Sequence, residues 1–77
     1  MSLANYYWIL PYIKKLKVFF ASDVNQALEK DDIYFSVANI VVAIEYWMRE
    51  GCIEVLPHQY VSNGHPVKKY VYAKDPE

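Results

Sequence analysis

The sequence predicts an α+β fold, three helices and a C-terminal β-hairpin in the order α-β-α-α-β-β. Three observations lead there. Residues 36–51, SVANIVVAIEYWMREG, form an amphipathic stretch with a cap signal at each end. After Gly51 the apolar period changes from helical to alternating. Asn63-Gly64 then separates two β-prone runs, as a type I′ hairpin turn requires. At 77 residues the chain is read as one domain, 1–77.

Residues 4–17, ANYYWILPYIKKLK, are expected to form the first helix, with Tyr6, Ile9, Leu10, Ile13 and Leu16 as its apolar stripe. Pro11 removes a helical hydrogen bond. Either the helix bends there, which is the preferred reading, or a turn ends near Leu10 and a second helix starts with Pro11. Lys14, Lys15 and Lys17 fall in the last turn, opposing the negative end of the helix dipole. Val18-Phe19-Phe20 is a short β-prone run, 18–20, and the only candidate for a third strand.

A helix over 22–30 follows, with Ser22 as its expected N-cap, Asp23 in its first turn and Val24, Ala27 and Leu28 facing inward. Asp31-Asp32 ends it. The longest helix is expected at 36–50. Ser36 is its N-cap and Gly51 the residue that leaves it at positive φ. Val37, Ile40, Val41, Ile44, Trp47 and Met48 share the core face, and Ala38, Asn39, Val42, Glu45, Tyr46 and Arg49 the other. Strands are expected at 52–56 and 67–74, joined by a long tip.

Composition narrows the function. Hydrophobic residues make up 55% of the chain, with eight Tyr, three Phe and two Trp, too apolar for intrinsic disorder. The single Cys52 excludes an internal disulfide and fits a reducing, cytoplasmic compartment. No apolar run is long enough to span a bilayer, and no signal peptide is visible. A formal net charge of −1 argues against indiscriminate polyanion binding. No Gly-rich phosphate loop, nucleophile elbow or HExxH motif is present, so the chain is expected not to be an enzyme and to need no cofactor. His58, His65, Cys52 and Glu54 lack metal-ligand spacing, so no metal site is expected.

The succession Phe20-Ala21-Ser22-Asp23-Val24, Ala27-Leu28, Ile33, Ser36-Val37, Ile40, Ile44 and Met48-Arg49-Glu50-Gly51-Cys52-Ile53 resembles the winged helix-turn-helix domain, in its small stand-alone regulators. The resemblance implies a sequence-specific, double-stranded-DNA-binding transcriptional regulator. Residues 36–50 would be the recognition helix in the major groove, and the hairpin a wing on the backbone or minor groove. Carried over by position, Ser36, Asn39 and Val42 would meet bases, with Asn39 suited to adenine and Val42 to a thymine methyl. Tyr46 and Arg49 would reach phosphates, as would Lys68, Lys69 and Asn63 on the wing. The recognition helix has no Arg or Lys in its first two turns. Lys14 and Lys15 would therefore help to supply the counterion-release term. Tyr6, Tyr7, Trp8 and Tyr12 exceed what one small core needs and are expected to form a homodimer seam. The same cation-poor outer face supports an alternative, a protein-interaction module that does not bind DNA.

Overall fold

Pro11 decides how the chain begins. In the computed structural model, which describes residues 6–57 and 60–76, a 3₁₀ turn spans Tyr7–Ile9. It runs directly into helix α1, Leu10–Leu16, which carries Pro11 in its first turn. The bent helix over 4–17 is thus replaced by the turn-then-helix arrangement. Pro11 has no N–H to give a continuous helix, and its ring crowds the carbonyl of the preceding turn. Ala4 and Asn5 lie outside the described residues. Lys17 has φ 69° and follows the helix rather than belonging to its last turn.

Strand β1, Val18–Phe20, leads without a loop into α2, Ala21–Lys30. Extended Phe20 is therefore the N-cap, and Ser22 sits inside the first turn instead of capping it. The Asp23 carboxylate accepts the Phe20 N–H at 2.8 Å. This satisfies a donor at the strand-to-helix junction and places negative charge at the positive helix end. After α2 the chain reverses through Asp32 at φ 59°, while the Ile33 N–H bonds the Leu28 carbonyl at 3.0 Å.

Helix α3, Val37–Arg49, has the expected caps. Ser36 Oγ accepts the Asn39 N–H at 3.2 Å, and Gly51 leaves at φ 84°. Its buried stripe is Ile40, Ala43, Ile44 and Trp47. Ala43 joins the core face. Val37 is exposed, and Val41 and Met48 are only half-buried. Helical spacing defines a stripe, but the neighbours decide how much of its length is covered.

The expected long-tipped hairpin is two ladders. Strands β2, Ile53–Val55, and β5, Lys69–Tyr72, belong to a three-stranded antiparallel sheet of order β1-β5-β2. Strands β3, Tyr60–Ser62, and β4, His65–Val67, form a second hairpin beyond it. The run expected over 67–74 is therefore divided at Lys68. Asn63 at φ 53° and Gly64 at φ 79° make the turn, the left-handed pair that Asn-Gly supplies at least strain. The element order gains two strands at its end.

One buried cluster joins these pieces, including Ile9, Ile13, Phe19, Leu28, Ile44 and Trp47. Phe19 stacks on Tyr70 across the sheet at 5.8 Å between centroids. Each such side chain contributes about 1.5–3 kcal/mol on burial. The fold is α+β, and among the described residues no helix is long and apolar enough to cross a membrane.

Candidate functional site

The register of the sheet sorts the candidate residues into two ends. Phe20 pairs with Lys69 and Val55 with Tyr70 at one end. Val18 pairs with Val71 and Ile53 with Tyr72 toward the other. The first end carries the start of α2 and the second hairpin. The opposite end receives the C-terminus of α3, through Cys52 N–H to Trp47 O at 2.9 Å.

At the hairpin end, Val37 and Val41 of α3 face Val61, Pro66 and Lys68 across a groove of about 490 Å³. Ala21 and Ser22 of α2 close one side, and Tyr70 also lines it. Ser36, Ala38, Asn39 and Val42 are exposed on α3. Only the backbone of Asn39 is used by the cap, so its carboxamide faces solvent without a hydrogen bond among the described residues. Lys68 is exposed. Lys69 lies over the rings of Phe20 and Tyr60, at 5.3 and 5.2 Å from their centroids. Its charge is held by two aromatic faces. Asn63 is exposed at the turn.

The remaining expected contacts lie at the other end. Tyr46 is half-buried, 5.3 Å from Tyr6 and 4.9 Å from Trp47 between centroids. The Arg49 guanidinium is 6.0 Å from the Tyr46 centroid. Lys14 pairs with Asp75 at 3.3 Å. Lys14 and Lys15 border a depression shared with Tyr7, Pro11, Asp75 and Pro76. Ser36, Asn39 and Val42 are exposed on the helix whose Val37 and Val41 share the groove with Lys68, and Lys14, Lys15, Tyr46 and Arg49 do not line that groove. His65 is exposed on β4, and His58 lies outside the described residues. Among the described residues no group of three or more His, Cys, Asp or Glu side chains could hold a metal ion.

The aromatic residues expected at a dimer seam have partners inside the chain. The Tyr6 carbonyl accepts Trp47 Nε1–H at 2.9 Å, and Trp8 stacks on Phe35 at 4.5 Å. Tyr12 donates to Asp31 at 2.6 Å. Tyr7 meets Trp47 edge-on at 5.0 Å and is still 52% exposed.

The tyrosine hydroxyls differ in their surroundings. The hydrogen bond to Asp31 raises the Tyr12 pKa above its ordinary 10.0. Burial raises those of Tyr70 and Tyr72. Tyr72 donates to Asp75, which pulls that carboxyl below its ordinary value, with Lys14 assisting. Tyr70 has no such acceptor. It is 4% exposed, and its hydroxyl makes no hydrogen bond among the described residues. Sequence reasoning did not single out Tyr70, because alternation places it on the same face as Tyr72 and reveals no acceptor. It also missed Tyr34, 71% exposed, and Val61, 68% exposed. The apolar run Ile33-Tyr34-Phe35 was the available signal for the former.

No protein-family model matches the chain, and comparisons with curated proteins and with solved structures find no match.

Proposed function

We propose that the chain is a sequence-specific double-stranded-DNA-binding regulator of winged helix-turn-helix type, working as a homodimer in the cytoplasm. The first turns of α3 enter the major groove, and the β3–β4 hairpin rests on the backbone or minor groove. The observation that carries this reading is the exposed Ser36–Asn39–Val42 face at the same end of the fold as Lys68. The strand order β1-β5-β2 supports it, because it ties the wing to the helical core and fixes its direction relative to α3. Asn39 offers an uncommitted carboxamide, the geometry that pairs with adenine. Lys68 and Lys69 supply the phosphate contacts.

Fluorescence anisotropy with a random duplex pool, followed by selected sites, tests the proposal. Replacing Lys68 and Lys69 together with Ala should weaken binding evenly across sequences and lower the salt slope by about one per lysine. Asn39→Ala should cost about 1–3 kcal/mol at one base position. Absence of binding at low salt, or a salt slope unchanged in the double-lysine variant, would refute the reading. Sedimentation with Tyr7→Glu tests the dimer, since Tyr7 keeps exposed ring surface for a partner.

A second reading, a protein-interaction module, is favoured by the separation of Lys14 and Lys15 from Lys68, together with Val37 and Val42, each 47% exposed. It expects Val42→Glu to abolish a protein complex in a chain that does not bind DNA. A complex indifferent to that change would count against it.

A further inference from the structure

A phenol hydroxyl removed from water without a hydrogen bond is costly, and native structures rarely leave one without a partner. Tyr70 is 4% exposed, its hydroxyl makes no hydrogen bond among the described residues, and it lines the groove between α3 and the β3–β4 hairpin. The rest of the lining divides by chemistry. Val37, Val41, Val61 and Val67 make apolar walls. The ionisable side chains of the lining are Lys68 and the Tyr70 phenol, and the lining contains no acid. Val37 brings the N-terminal turn of α3 into the lining, whereas that of α2, represented by Ala21 and Ser22, already carries the Asp23 carboxylate. No acidic residue occupies the first turn of α3. Helix starts favour negative charge. The volume, about 490 Å³, lies in the range of small-molecule sites.

We infer that this groove binds a small amphipathic carboxylate, its tail against Val37, Val41 and Val61 and its head taken by the Tyr70 hydroxyl and Lys68. Apolar walls and an anion-favouring rim together suit neither a bare phosphate nor an uncharged oil. Burial first, and then the charge of Glu45 from outside the lining, disfavour loss of the Tyr70 phenol proton. The hydroxyl therefore stays a donor, as a carboxylate acceptor requires.

The inference concerns the free chain and stands whether or not the chain binds DNA. A two-dimensional ¹⁵N NMR titration of the full chain with sodium octanoate tests it, with 1-octanol and inorganic phosphate as parallel probes. Octanoate should move the amides of Ser22, Val37, Val41 and Val67 saturably, and bind more tightly than either other probe. Tyr70→Phe keeps the ring that stacks on Phe19. It should weaken octanoate about fivefold, the net value of one hydrogen bond. Lys68→Ala should weaken it about threefold, as for one exposed ion pair. Non-saturable shifts, equal affinity for octanol, equal affinity for phosphate, or a Tyr70→Phe variant that binds octanoate unchanged would each overturn the inference. Thermal melts of both variants establish that they remain folded.

Discussion

Tyr70 and Tyr72 leave the same face of β5 two residues apart, yet the two ends of the sheet treat them differently. At the end shared with the C-terminus of α3, Tyr72 donates to Asp75, Asp75 pairs with Lys14, and nearby Trp47 donates to Tyr6. At the hairpin end, Tyr70 makes no hydrogen bond among the described residues, and Lys68 has no acidic neighbour in the groove lining. The first end behaves as structure, with its polar groups answering one another. At the second, Tyr70 and Lys68 make no hydrogen bond or ion pair among the described residues. This contrast separates the two ends better than the distribution of exposed residues, which is broad over a molecule this small.

The largest effect should come from breaking the self-satisfied end. Trp47→Ala removes a buried indole and its hydrogen bond to the Tyr6 carbonyl, and should cost about 3–5 kcal/mol in denaturant unfolding. Val61→Ala at the hairpin end should stay within about 0.5 kcal/mol.

Next comes the tyrosine pair, in which the sign matters. Tyr70→Phe deletes a hydroxyl that makes no hydrogen bond among the described residues and should stabilise the free chain by about 1 kcal/mol. The melting temperature should rise by about 4–8 °C. Tyr72→Phe deletes a made hydrogen bond and should lower it. Melts that move in the same direction for both would dissolve the contrast.

A smaller effect should appear with pH. Tyr72 first, then Lys14, hold the Asp75 carboxyl below its ordinary 3.8. The stability it contributes is therefore present above that value and lost as pH falls through the lowered folded value. Asp75→Asn should flatten the acid limb of a melting-temperature profile. Tyr12, Tyr70 and Tyr72 are raised above 10.0, so their contribution is complete below that pH and declines as pH climbs past it. The smallest effect on stability should be that of Lys68→Ala, within about 0.5 kcal/mol, although it alters binding.

Much of this architecture is legible in the residues. Ser36 and Gly51 bound α3 because capping is a contact between near neighbours in sequence, and the structure places both caps where the residues predict. The third strand was legible for another reason. A two-stranded hairpin is marginal, and Val18–Phe20 was the one run available to extend it; it pairs with β5. Pro11 left two arrangements open, and the one realised was not the one preferred. Ser22 looked like a cap because nothing local reveals that the chain passes from β1 to α2 without a loop. The candidate site was less legible. Lys14 and Lys68 look equally available in the sequence, but α1 sets Lys14 beside Asp75, while Lys68, just before β5, lines the groove with Val37 and Val41.

What the sequence determined by itself is what depends on short range: the helical and alternating periods, the caps of α3, the left-handed Asn63-Gly64 turn, and the α+β class. Tertiary structure decided which stretch of each apolar stripe is covered, which lysines share a face, and which tyrosine finds an acceptor. The physical reason is that caps and turns are satisfied by residues a few positions away, whereas burial and hydrogen-bond satisfaction depend on neighbours brought from tens of residues away. Tyr70 and Tyr72 carry the same side chain on the same strand, and only the fold gives Tyr72 its acceptor in Asp75 and Tyr70 none among the described residues.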